Sequence, residues 1–294
     1  MDRSEPAQPL QGVSNFRDVG ETVNHFLGRR LLREGVLFRS ARPDDATPHD
    51  EALLRDDLRL KTIIDLRTQT ERHQQAVKQQ PNPDTVTSFF RHLAFAPQPR
   101  RIEGIQYHEI AITGRSFERH LLSRLGWWSF FKVIFLAIIG LRLRASRILV
   151  YEVLVPDGLL GIGTVSLDHS GADVCEALSL LASPPSTPVL VHCTLGKDRT
   201  GLICALVLMT LRVPMPAIEH DYFLTDAALA SDRAERMADM RLTGFPEEWV
   251  STAKNMIPGM HAHLADQYGG VDAYLDSIGF GEVDRARLRD ALLY

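Results

Sequence analysis

An α/β domain with a central, mostly parallel sheet flanked by helices is the fold class this 294-residue sequence predicts. Three observations point to it. Short strand-like runs bounded by turn formers crowd the first third of the chain. A helix–strand–helix unit follows at about residues 168–212. The rest, to Tyr294, is helical with breaks. Strands followed by covering helices bury a sheet on both faces, and such sheets are mostly parallel.

In chain order, residues 1–11 read as a flexible tail and 12–294 as one domain. "LLREGVLFRSA" (Leu31–Ala41) alternates enough for a strand, with a turn at Glu34-Gly35. Thr47 before Pro48 marks a helix start. "LKTIIDLRT" (Leu60–Thr68) is a β-branched run and predicts a buried strand. "HQQAVKQQPNPD" is polar and breaks at Pro81 and Pro83, and "TVTSFFRHLAFAP" (Thr85–Pro97) suggests another strand. From Gly114 to Arg147 the pattern is helical and apolar. Val174, Ala177, Leu178 and Leu181 mark a helix within Asp168–Ser183, "VLVH" (Val189–His192) a strand, and Thr200–Arg212 an apolar helix. Later breaks are expected at Pro246, Pro258 and Gly269-Gly270.

Composition excludes some functions. With 33 Lys and Arg against 37 Asp and Glu, the formal charge is −4, so no global basic field favours nucleic acid. Three cysteines form neither a disulfide framework nor a metal spacing, which fits a reducing, cytoplasmic setting. The N-terminus has no apolar core of the secretory kind. The most apolar stretch, Trp127–Leu141, is interrupted by Lys132 and falls short of the ~20 residues a transmembrane helix needs. It is expected to be a core or lid helix. Peripheral membrane contact stays open because Arg142, Arg144 and Arg147 follow it.

Chemistry concentrates in "HCTLGKDRTG" (His192–Gly201), between a strand end and a helix start. Backbone N–H groups in such a loop, at a helix N-terminus, bind a tetrahedral oxyanion. Gly196 permits a conformation that a side chain would block. Arg199 lies six positions after Cys193, and its planar fork can hold two phosphoryl oxygens while the sulfur faces phosphorus. The same surroundings favour the thiolate, which is the competent nucleophile. Thr200 is expected to donate its hydroxyl to that sulfur, and His192 to brace the loop through backbone groups. Thr194, Leu195, Gly196 and Lys197 complete the phosphate-binding loop. Cys175 and Cys204 sit in apolar helical patterns and read as core thiols.

This loop resembles the active-site loop of the cysteine-dependent protein tyrosine phosphatases. The wider chain is similar to their atypical branch, which includes dual-specificity and phosphoinositide phosphatase-like members. "NFRDVG" (Asn15–Gly20), "LFRSARP" (Leu37–Pro43), "IIDLRTQTE" (Ile63–Glu71), "DYFLTD" (Asp221–Asp226) and "YLDSIGF" (Tyr274–Phe280) extend the resemblance over most of residues 12–292. It implies a cysteine-phosphatase-like fold with a helical lid insertion at 114–147 and a helical C-terminal part. It also implies two-step hydrolysis of a phosphate monoester through a phosphocysteine at Cys193, with no metal or other cofactor. The expected partner is a phosphorylated protein or a phosphoinositide. Phosphotyrosine or dual-specificity activity comes first, phosphoinositide activity second, and a catalytically weak phospho-binding module is a further alternative. Leu195 replaces the small residue common in relatives, which bears on pocket shape.

The proton donor is open between two main candidates. Asp198 resembles the in-loop aspartate of related lipid phosphatases, its alternative being a loop-fixing salt bridge. Asp65, at a strand end, is the runner-up, its alternative a contact holding Arg67. Asp18, Asp168 and Asp221 are weaker candidates. Lys197 is either solvated or placed to attract a multiply charged substrate. Arg17, Arg39 and Arg67 either line the cleft or form structural ion pairs.

Overall fold

The computed structural model describes residues 10–79, 99–231 and 233–294. The chain runs through β1 (Arg17–Asp18), α1 (Val19–Leu27), β2 (Leu37–Ser40), α2 (Pro48–Ala52), β3 (Thr62–Asp65), α3 (Gln69–Lys78) and β4 (Gln106–Glu109). Four helices follow: α4 (Arg115–Ser123), α5 (Trp127–Ile138), α6 (Arg142–Leu149) and α7 (Val155–His169). Then come α8 (Gly171–Leu181), β5 (Val189–His192) and α9 (Asp198–Thr210). The C-terminal part is α10 (Met215–Ala228), α11 (Arg233–Thr243), α12 (Met256–Tyr268), α13 (Val271–Ser277) and α14 (Glu282–Leu292).

Among the described residues, five strands lie in the order β1-β2-β5-β3-β4, with only β1 antiparallel. The sheet is therefore mostly parallel, as the sequence predicts. β5 is central, and its four residues alternate between two cores. Val189 and Val191 join the larger cluster with Leu37 and Ile64, while Leu190 joins Phe38 and Ile63 on the other face. Burial on both faces is why these strands read as apolar runs. Helix α9 is buried along its whole length from Thr200 to Thr210, so it has no polar face to reveal a helical period.

Register fixes where the strands end. Ser40, His192 and Asp65 are cross-strand partners at the C-terminal ends of β2, β5 and β3. In an open parallel sheet this edge, beside the central strand, is where ligands bind. The segments leaving the three strands all meet there.

Several local expectations are met. Thr47 caps α2 in a reciprocal box with Asp50. Gly269, in the left-handed region at φ 83, closes α12. Others are corrected. Pro258 does not break the chain: it is the third residue of α12, in the first turn, where an N–H has no intrahelical acceptor to lose. The polar stretch after Thr68 is helical as α3, started by a capping box in which Thr68 and Glu71 bond each other's amides. Strand β4 is a half-exposed edge strand of polar residues that gives no apolar signal. The strand expected at Thr85–Pro97 and the tail at residues 1–9 lie outside the described residues.

The 114–147 region is helical. Phe117 and Leu121 of α4 are buried with Val153, but α5 does not take the core alternative of its expected core or lid role. α5 buries only Val133, and Trp127 and Trp128 are 81% and 91% exposed. α6, a π-helical turn at Val150–Leu154 and α7 continue as one tract, whose Leu143–His169 part has 27 residues and a window of mean hydropathy 1.6. By length and composition this part could cross a membrane, a property masked in the sequence by Arg144, Arg147, Glu152 and Asp157. It bends at Gly158, where the backbone is non-helical, and α7 packs on α4, α8, α9 and α12.

One ion-pair network joins the N-terminal segment, the sheet and a C-terminal helix. Asp221 of α10 accepts from Arg17 Nε at 2.8 Å and from Arg39 Nη1. Burial alone would push the Asp221 carboxyl up, but the two guanidinium charges and their hydrogen bonds bring it below the usual range. Asp221→Ala would leave both arginines buried without this partner. A loss of about 3–5 kcal/mol of stability is expected, measured by denaturant unfolding.

Candidate active site

Cys193 is the first residue beyond β5 and is 4% exposed. The loop from Cys193 to Lys197 turns directly into the N-terminus of α9. Gly196 is required there twice over. It sits at φ +65, and a Cβ would lie 2.1 Å from the Ser40 carbonyl oxygen.

The loop carbonyls are anchored one after another. His192 Nδ1 bonds the Cys193 carbonyl at 3.1 Å, which requires the Nδ1 nitrogen to carry the proton. The Arg42 amide donates to the Thr194 carbonyl at 3.2 Å. Asn15 Nδ2 donates to the carbonyls of Leu195 and Gly196 at 3.0 and 3.1 Å, and Arg39 Nη2 donates to Gly196 at 2.8 Å. In a trans peptide the N–H points opposite to the C=O. Carbonyls held outward therefore turn the amides of Thr194, Leu195, Gly196 and Lys197 to the other side, as an anion-binding nest requires.

Arg199, in the first turn of α9, is gripped by Glu71. Its Nη1 bonds Glu71 Oε2 at 2.7 Å, its Nη2 bonds Oε1 at 2.5 Å, and Nη1 also reaches the Leu66 carbonyl at 3.3 Å. The Glu71 carboxylate accepts as well from Thr194 Oγ1 at 3.0 Å and from the Thr68 amide at 2.9 Å. Burial pushes the Glu71 carboxyl up, but the Arg199 charge and these hydrogen bonds outweigh it and bring it to about 2. Arg199 is raised in turn. Sequence reasoning gave Glu71 and Asn15 no role. The signal for Glu71 was its place three residues after the helix-capping Thr68 in "TQTE".

Lys197 takes neither expected role. It is 1% exposed and donates its Nζ to the carbonyls of Trp249 and Ser251, the latter at 3.0 Å. It ties the loop to the 3₁₀ turn at Glu247–Val250 and the residue after it. Thr200 also differs: its hydroxyl is fully enclosed without a hydrogen-bond partner, so the expected bond to the Cys193 sulfur is not made.

Among the aspartates, Asp198 is the one beside the loop with an exposed side chain. That side chain is 41% exposed, its Oδ1 is enclosed without a hydrogen-bond partner, and Lys197 Nζ is 3.7 Å from it. Asp65 is committed elsewhere, bonded by both the amide and the guanidinium of Arg67. It is held low because His192 and Arg67 outweigh its burial. Asp18 caps α1 and accepts from the Gly35 amide, and burial pushes it up to about 6. Asp168 bonds His263 and the Tyr268 hydroxyl, and Asp221 is buried in its network. The three arginines take the ion-pair alternative. Arg67 is bound by Asp44 and Asp65, while Arg17 and Arg39 are bound by Asp221. Arg17 and Arg39 support the loop from behind rather than lining the cleft.

A family described as "Tyrosine phosphatase family" matches residues 8–139 and 155–294. The chain belongs to this tyrosine phosphatase family. A "Tyrosine-protein phosphatase" of Nostoc commune is 32% identical over 144 residues, 46% of this chain and 49% of that protein. The "Triple specificity protein phosphatase PtpB" of Mycobacterium tuberculosis is 30% identical over 134 residues, 40% of this chain and 48% of that protein. The chain thus spans about half the length of the curated relatives it matches. The solved core catalytic domain of a PP-IP phosphatase from S. cerevisiae, in complex with citrate, is 14% identical with a TM-score of 0.34, covering 80% of this chain and 97% of that one.

The Glu71 grip has a pH signature. A carboxyl lowered from 4.5 to about 2 on folding stabilises the fold above the unfolded value, and this is lost as pH falls from about 4.5 through about 2. Glu71→Gln should therefore cost on the order of 2 kcal/mol at neutral pH, discounted for the 31% exposure of the side chain. It should also flatten the acid limb of stability in that window. Urea unfolding of both proteins at a series of pH values measures it.

Proposed function

We propose that this chain hydrolyses phosphate monoesters through a phosphocysteine intermediate. The single observation that carries this reading is the loop around Cys193, whose carbonyls are anchored outward while Arg199 is fixed at the helix start.

In the first step the Cys193 thiolate forms a bond to phosphorus and the phosphorus–oxygen bond to the leaving group breaks. Loop amides and Arg199 stabilise the charge on the transferring group. The departing oxygen takes a proton from Asp198, whose side chain is 41% exposed beside the loop, with Lys197 Nζ 3.7 Å from its Oδ1. In the second step water attacks phosphorus, Asp198 accepts a proton, the phosphorus–sulfur bond breaks, and inorganic phosphate leaves with the thiolate restored.

Phosphoproteins, with phosphotyrosine or dual-specificity preference, are the proposed substrates, with phosphoinositides the second class. The likeness to a tyrosine-protein phosphatase and to a triple-specificity protein phosphatase supports the first. Leu195, half-buried within the loop, bears on the shape of the site on which the choice depends. A reducing, cytoplasmic setting suits a thiolate nucleophile, and Cys175, Cys193 and Cys204 are all free.

With an aryl phosphate substrate, Cys193→Ser should lower turnover by at least about a thousandfold, whereas equal turnover of the two proteins ends the nucleophile reading. Acid-quenched wild type should carry phosphate on Cys193. Asp198→Asn should slow esters with poor leaving groups by about 10²-fold or more, and good leaving groups far less. An equal loss on both would make Asp198 a loop-structuring residue. Phosphate release from a panel of phosphopeptides and phosphoinositides ranks the two substrate classes.

A further inference from the structure

We propose that the α5–α6 hairpin docks this chain on a lipid bilayer surface bearing anionic headgroups. The observation is an apolar stripe turned outward. Trp127, Phe131, Phe135 and Ile138 recur at one-turn spacing along α5, and all are more than half exposed, Ile138 at 78%. A helix of a globular domain ordinarily turns such a stripe to the core. Here the core takes only Val133 from α5. The patch continues across the turn into α6, where Leu143 is 51% exposed. Contiguous exposed apolar surface of this kind marks an interaction site.

Charge identifies the occupant. Between Glu118 and Glu152 the sequence holds six Lys or Arg and no Asp or Glu. Six positive charges within a total of −4 leave −10 on the rest of the chain. Lys132 and Arg144 are exposed beside the stripe. Arg124 is paired with Asp157, and Glu152 accepts from Ser129 of α5, but exposed Lys132 and Arg144 beside aromatic and aliphatic side chains fit an anionic membrane interface. Self-pairing of the patch would set these cations against their own copies. At 12 residues, α5 is about 18 Å long, short of a ~30 Å hydrocarbon core, so it lies in the interface plane.

The base of the hairpin leads back to the active-site loop. α6 packs on α11, and the turn after α11 supplies the Trp249 carbonyl that holds Lys197. Docking therefore sets the catalytic loop at a fixed remove from the surface.

The test is flotation of the full chain with vesicles of phosphatidylcholine alone or mixed with phosphatidylserine. Wild type should float with the mixed vesicles and much less with the neutral ones. Trp127→Ala combined with Phe131→Ala and Phe135→Ala should reduce partitioning at least about tenfold, and Lys132→Glu with Arg144→Glu should remove the preference for the mixed vesicles. Turnover of a soluble aryl phosphate should be unchanged in both variants. Wild type that stays in the aqueous phase with both vesicle types overturns the proposal. So does a wild-type dimer in sedimentation that the triple variant converts to monomer, because the patch is then a contact between copies. Should a variant fail to fold, quenching of wild-type tryptophan emission by brominated lipid decides instead, and unquenched emission refutes docking. A wild type that floats but does not turn over aryl phosphate would sink the catalytic reading and leave docking intact.

Discussion

The fold of the site depends on the outward anchoring of four successive carbonyls, from Cys193 to Gly196. A five-residue loop with no regular hydrogen bonding would otherwise sample many shapes, and fixing each residue costs about 1–2 kcal/mol of conformational entropy. Here the anchors are four residues from three parts of the chain. Asn15 precedes β1, Arg39 and Arg42 lie within and just after β2, and His192 ends β5. Because β1 and β2 are themselves paired, the anchors form part of the sheet rather than a mobile flank. Gly196 lets the loop come close enough for this to work, since the Ser40 backbone occupies the space a side chain would need.

Two further ties hold the loop from other directions. Glu71 binds both Thr194 and Arg199, fastening the start of the loop and the start of α9 to the N-terminus of α3. Lys197 fastens the end of the loop to the turn at Trp249. Each tie uses a buried or half-buried charge, which is costly to desolvate unless every partner is present. Asp221 accepts from both arginines with its two carboxylate oxygens, which leaves Arg39 Nε as the one enclosed nitrogen of the pair without a partner. The Cys193 loop is thus held in place by charged groups: Arg39 of β2, Glu71 of α3 and its own Lys197.

What was legible in the sequence follows from where information is local. The strand Val189–His192, the helix after it and the Cys193-to-Arg199 spacing are contiguous, and they read directly. The two-faced burial of β3 and β5 also reads, because it makes continuous apolar runs. The polar edge strand β4 does not, since nothing apolar marks it. Nor do the partners of charged residues, which depend on tertiary placement. The contact between Asp65 and Arg67, two residues apart, is among the alternatives the sequence offers, but their third partner, Asp44, 23 residues from Arg67, is not. Lys197 looks like a substrate cation, yet carbonyls some fifty residues later claim it. Apolar content alone did not decide between the core and lid alternatives at α5, because composition does not say which face of a helix will find a partner.

The Glu71–Arg199 pair explains how the site can be both rigid and ready for a dianion. A phosphate monoester takes its second charge near a pKa of about 6. Arg199 must be fully charged and correctly aimed across that range. Its charge is secure in any case, but its aim depends on a partner that is itself ionised there. A carboxyl lowered to about 2 stays ionised well below the pH at which the substrate becomes a dianion. A neutral acceptor could orient the fork but would not offset the burial of a guanidinium, while a carboxylate with an ordinary pKa would begin to lose its grip earlier as pH falls. Glu71 also bonds Thr194, so the charge that aims Arg199 shapes the first turn of the anion nest. The arginine and the start of the loop are therefore positioned by one carboxylate.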